Sequence, residues 1–205
     1  VAAMIAIIDY DAGNLKSVEK ALVSLGESPV VTRDKEILLS ADKVILPGVG
    51  AFGEAMDKLH QYELVEVIKK VAENGTPLLG ICLGLQLFFE SSQESEGVKG
   101  LGLLPGKILR FPNTPGLKVP HMGWNSLKIK PEGRLFKGIH SGAYVYFVHS
   151  YYLEAERQSD VAATSEYGLT FGASVERDNL FACQFHPEKS SDTGLHILKN
   201  FIELT

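Results

Sequence analysis

The stretch Leu78–Phe89, LLGICLGLQLFF, sets one cysteine between two glycines inside an apolar run. Read as a buried strand over 77–81 followed by a helix over 83–91, it puts Cys82 at a sharp strand-to-helix turn, at the carboxyl end of the strand. Gly80-Ile81-Cys82-Leu83-Gly84 then has the spacing of a nucleophile elbow. The glycines permit a tight turn packed closely on its neighbours, and a helix N-terminus favours an anionic sulfur and directs amide donors at the same point. The alternative is a packed structural cysteine, since free cysteine is among the most buried residue types. With only two cysteines, Cys82 and Cys183, in 205 residues, no disulfide framework is expected, and a reducing compartment is.

Around that turn the first half of the chain alternates short apolar runs with helical periods. MIAIID (4–9) reads as a strand; Leu15, Val18, Ala21, Leu22 and Leu25 then share one helical face, closed by Gly26. KVILPG (43–48) is a second buried strand. Leu59, Leu64, Val65, Ile68 and Val71 mark helical material ending at ENG (73–75), and TPLLGI (76–81) is again a strand. This is the rhythm of a parallel, helix-covered sheet. The second half is richer in glycine and proline, and its β-type runs YVYFV (144–148) and LFACQF (180–185) suggest antiparallel hairpins at the sheet edge or a second small sheet. TGLHILKNFIEL (193–204) reads as a final helix. The expected fold is α/β: a central, mostly parallel sheet flanked by helices with an added antiparallel sheet, in one domain over 1–205.

A formal charge of −5 with no basic cluster argues against nucleic acid as a partner. No apolar run approaches the roughly 20 residues of a membrane span, and VAAMIAIIDY has neither a basic start nor a cleavage pattern, so a cytoplasmic protein is expected.

A thiol nucleophile needs a base. QFHPEKS (184–190) follows the run LFACQF, which would stand His186 at a strand end, on the edge where an elbow cysteine emerges. His186 and Glu188, two apart with Pro187 between them, fall on one side of an extended segment, so the carboxylate is able to orient the imidazole. The bland alternatives are a loop histidine and a solvated acid.

GICLGLQ with HPEKS about a hundred residues later resembles the class I (triad) glutamine amidotransferases, and LPGVGAFG (46–53) resembles their oxyanion strand. More narrowly, DYDAGNLKSV (9–18), PHMGWN (120–125), YVYFVHSYY (144–152) and QFHPEKS resemble the glutaminase subunits of imidazole glycerol phosphate synthase, in histidine biosynthesis. The resemblance covers nearly the whole chain from Met4; the one departure noticed is Leu85 where methionine is common, a near volume-conserving change.

What the resemblance implies is amide transfer from glutamine, with Cys82 as nucleophile, His186 as base and Glu188 as its orienting carboxylate. It implies an oxyanion site made by the Leu83 N–H and by Gly48, Val49 and Gly50, where the bare alternative for PGVG is a turn. For the substrate it implies Gln86, Glu94, and backbone near Ser150 and Tyr151; Glu94 otherwise reads as part of a solvated acidic loop. It implies a (β/α)8-barrel cyclase subunit as partner, making imidazole glycerol phosphate and an aminoimidazole carboxamide ribonucleotide from the ammonia. Asn14, Met122, Trp124, Tyr146 and Lys189 match positions near that interface, although a lone tryptophan is more often core. No metal and no cofactor are expected, because the histidines show no ligand spacing. Rival readings are another amidotransferase, such as that of anthranilate or pyridoxal phosphate synthesis, a small cysteine hydrolase, and a catalytically silent binding subunit. PHMGWN argues against the first two, and the intact Cys82, His186 and Glu188 against the third.

Overall fold

The computed structural model describes residues 2–205; Val1, the first residue of the expected domain, lies outside them. Strand β1 (Ile5–Ile8) leads through helix α1 (Leu15–Ser24) to β2 (Val30–Thr32), and α2 (Lys35–Ser40) leads to β3 (Lys43–Leu46). Helices α3 (Phe52–Gln61) and α4 (Val65–Glu73) precede β4 (Leu78–Ile81), and α5 (Leu83–Leu87) follows it. Then come β5 (Ser91–Ser92), β6 (Gly106–Arg110), β7 (His121–Ser126), β8 (Lys128–Ile129), β9 (Tyr144–His149) and β10 (Tyr151–Ala155). Strands β11 (Val161–Glu166), β12 (Thr170–Arg177) and β13 (Leu180–Cys183) and helix α6 (Ser191–Ile202) complete the chain.

The main sheet runs β2-β1-β3-β4-β13-β12-β10-β6-β5, with β11 and β8 branching from β12; β7 and β9 form a separate antiparallel pair. Neighbours from β2 to β13 are parallel. Every residue of β1, β3, β4 and β13 is buried, hence the apolar runs, while the edge strand β2 is half-buried. Alternation along β1 divides the core in two: Ala6 and Ile8 pack with Phe52, Leu59 and Ile68, and Ile5 and Ile7 with Val18, Leu22, Ile197 and Phe201. Helices α3 and α4 thus cover one face, and α1 and α6 the other.

Three expectations about elements need correction. LFACQF does form an antiparallel hairpin with β12, but not at an edge: on its other side β13 lies beside β4 in parallel, with Cys183 opposite Ile81. The helical material over 59–71 is two helices, broken where Glu63 takes φ +54. The helix after Cys82 stops at Leu87, not 91, because the carbonyls of Leu87, Phe88 and Phe89 are taken by the amides of Leu101, Leu103 and Gly102. Those bonds release residues 91–92 to pair with β6.

Candidate active site

Three adjacent parallel strands end together. Leu46 pairs with Gly80, and Ile81 with Cys183, so Pro47–Gly50, Cys82 and His186 all leave the sheet at its carboxyl edge, where open α/β sheets bind ligands. Cys82 sits at φ +56, a strained conformation for a residue with a side chain, and its N–H donates to the Cys183 carbonyl at 2.7 Å. The elbow is tight enough to require its glycines. A methyl on Gly80 would lie 2.8 Å from the Gly84 backbone, and one on Gly84 only 2.1 Å from the Leu46 carbonyl oxygen.

His186 Nδ1 is 2.6 Å from Glu188 Oε1, and both side chains are fully buried. Glu188 is therefore not a solvated acid. The segment is also not extended, since Pro187–Lys189 form a 3₁₀ turn, which curls the carboxylate back under the ring. The His186 N–H donates to the Tyr146 carbonyl, and its own carbonyl accepts from the Ser190 hydroxyl. Nε2 is buried and makes no hydrogen bond, and His186 lines the same cavity as Cys82. Burial pushes the imidazole down, but the Cys82 sulfur and the Glu188 carboxylate outweigh it and raise it to about 10. The sign is that of a raised base: the stabilisation is complete below the unfolded value of 6.5 and is lost as pH rises through about 10. In urea unfolding, the stability gap between the wild type and His186→Asn should shrink between pH 6.5 and about 10. A gap constant across that window would mean that no such charge pairing exists.

The cavity, of about 350 Å³, is lined by Val49, Gly50, Leu83, Gln86, Glu94, Ser150 and Tyr151 as well as Cys82 and His186. Gln86 donates through Nε2 to the Gln184 side-chain oxygen at 3.1 Å and to the Tyr151 carbonyl at 3.3 Å. Glu94 sits half-buried in a loop that is otherwise largely exposed, and is not a free acid there: it accepts from the Phe52 N–H at 2.7 Å, while Ser95 accepts from Gly53 N–H, so the pair caps α3. The Leu83 N–H is engaged by the Gly48 carbonyl at 3.1 Å. A peptide plane carries its carbonyl and N–H on opposite sides, so the Val49 N–H faces away from that contact.

Two cavity neighbours escaped sequence reasoning. Gln184, fully buried, places Nε2 3.8 Å from the Cys82 sulfur; a lone amide in an apolar strand run was the available signal. Tyr10, also buried, donates its hydroxyl to the Pro47 carbonyl at 2.5 Å. Burial first, and the Cys82 charge second, raise its ionisation far above the usual tyrosine range.

The residues expected at an interface divide. Met122 and Trp124 are 63% and 52% exposed, and Lys189 is exposed too. Trp124 lies opposite the half-buried Tyr146 across β7 and β9, so the lone tryptophan is no core residue. Asn14 is instead buried, and neither atom of its amide makes a hydrogen bond.

Residues 6–204 match the family described as glutamine amidotransferase class-I. The chain is 56% identical over 200 residues to "Imidazole glycerol phosphate synthase subunit HisH" of Moorella thermoacetica, covering 98% of this chain and 94% of that protein. To the protein of the same name from Methanocaldococcus jannaschii it is 50% identical over 201 residues, covering 98% and 100%. Among solved structures, one described as a glutamine amidotransferase superposes with a TM-score of 0.75 at 22% identity, covering 97% of this chain and 98% of the other. PurLQS from Thermotoga maritima superposes with a TM-score of 0.74 at 19% identity, covering 98% of each chain. At those identities the two structures speak for the fold alone.

Proposed function

The chain belongs to the class-I glutamine amidotransferase family and, within it, to the HisH group, and we propose that it is the glutaminase subunit of an imidazole glycerol phosphate synthase. The observation that carries the catalytic reading is the buried His186–Glu188 pair, opening onto the cavity that holds Cys82 at its strained turn. The Cys82 thiolate attacks the side-chain carboxamide of glutamine, forming a tetrahedral oxyanion. The His186 imidazolium protonates the departing nitrogen, and ammonia leaves behind a glutamyl thioester. His186 then takes a proton from water, whose attack releases glutamate and restores the thiolate. Glu188 holds the ring with Nδ1 protonated and steadies its charge. Gln86, Glu94 and the Ser150–Tyr151 backbone hold the α-amino and α-carboxylate ends of the substrate. The chain works as one domain over 1–205, without metal or organic cofactor.

The partner is a (β/α)8-barrel cyclase that receives the ammonia and seats on the face carrying Met122, Trp124, Tyr146 and Lys189, with Asn14 near it. A biosynthetic role of this kind places the protein in the cytoplasm; among the described residues, no helix is long and apolar enough to cross a membrane. Turning the Gly48–Val49 peptide would free the Leu83 N–H and swing the Val49 N–H toward the oxyanion, and Gly48 lacks the Cβ that would strike Tyr10 and Leu83. The partner drives that turn. Glutamate release by the chain alone should therefore be lower by about 10² to 10³ than in the complex with cyclase and a nucleotide analogue, the size of a missing oxyanion donor. Equal rates with and without the cyclase would point to a free-standing hydrolase.

A further inference from the structure

The two buried histidines outside the triad, His121 on β7 and His149 on β9, form a hydrogen-bonded chain whose protons its two ends assign. His149 Nδ1 lies 2.8 Å from the Tyr151 carbonyl, which only accepts, so the proton is on Nδ1. His149 Nε2 is then an acceptor, 3.0 Å from His121 Nδ1, which donates. His121 Nε2 accepts in turn from the Asn125 amide at 3.3 Å. The orientation of that amide is set, since its oxygen accepts from the Ser126 N–H and its nitrogen also donates to the Glu166 carbonyl. Each ring uses one donor and one acceptor, which requires both to be neutral. Burial favours that state, pushing His121 down to about 4 and His149 to about 3. At the far end the Tyr151 carbonyl also accepts from Gln86, so two donors converge on one oxygen at the wall of the cavity. At the near end, β7 turns His121 and Asn125 inward and Met122 and Trp124 outward.

We propose that His121 and His149 are positioning residues for glutamine: the paired imidazoles hold the Tyr151 carbonyl and the Ser150–Tyr151 backbone, so that the exposed strand bearing Met122 and Trp124 sets the cavity's affinity for substrate. The proposal rests on the glutaminase reading and extends it to an imidazole at the cavity wall, His149, and to His121 behind it.

His121→Phe keeps a ring in the stack with Phe147 and Tyr167 but has no donor for His149. In the complete complex, KM for glutamine should rise about tenfold, the scale of one buried acceptor left unpaired, with kcat within about twofold of the wild type. His121→Asn, whose amide replaces the Nδ1 donor, should restore most of the loss. In the unaltered protein, ¹⁵N NMR should show His149 protonated on Nδ1 and not on Nε2; this readout needs neither a folded variant nor turnover. An unchanged KM in a folded His121→Phe, no rescue by asparagine, or a proton on His149 Nε2 would each overturn the proposal. A wild-type complex that releases no glutamate would sink the glutaminase reading, whereas an active complex indifferent to His121→Phe would sink this proposal alone.

Discussion

Cys82→Ala in the complete complex is expected to lower glutamine-dependent product formation by roughly 10⁴ to 10⁶. Formation from added ammonia should be unchanged. The loss is that large because the thioester forms on the Cys82 sulfur, which the elbow holds in the cavity that His186 also lines. Calorimetry should still detect glutamine binding, since Gln86 and Tyr151 hold each other independently of the sulfur. Activity within about tenfold of the wild type would return Cys82 to the packed structural cysteine that its burial also permits. Loss of the ammonia-dependent reaction as well would mean that the substitution had disturbed the assembly rather than the chemistry.

Gly84→Ala is expected to lower stability sharply. The added methyl would lie 2.1 Å from the Leu46 carbonyl oxygen, an atom of the backbone of β3, which is paired on one side with β1 and on the other with β4. No side chain is available to swing aside, so α5 must move off the sheet. Overpacking typically costs about 1–3 kcal/mol, and this site should fall at or above the upper end. For a chain of this size that lowers Tm by about 6–12 °C. The displaced turn carries Cys82, so glutamate release should also fall by about 10². Gly133→Ala is the control: its nearest neighbour would be 3.5 Å away and its φ is not left-handed, so its effect should stay within about 0.5 kcal/mol. Equal melting temperatures for the two variants would show that the elbow is not packed as tightly as the geometry requires.

The sequence by itself determined the elements that depend on neighbours along the chain. A buried strand, a glycine-flanked turn and a helix around Cys82 are legible because strand and helix impose different periods on apolar residues, and glycine marks where the backbone must bend. The same is true of β1 with α1, of β3, and of α6, whose observed span differs from the expected one by two residues at each end. Tertiary structure alone decided which strands lie side by side. LFACQF reads as apolar whether it lies at an edge or in the centre, and only its parallel pairing with β4 brings His186 to Cys82. It alone revealed what polar groups far apart in sequence do for one another: Glu94 caps α3 42 residues away, Gly48 engages the Leu83 amide, and His121 reaches Tyr151 through His149. Periodicity is a local property of the chain, whereas the demand that each buried donor find an acceptor is met across the whole fold.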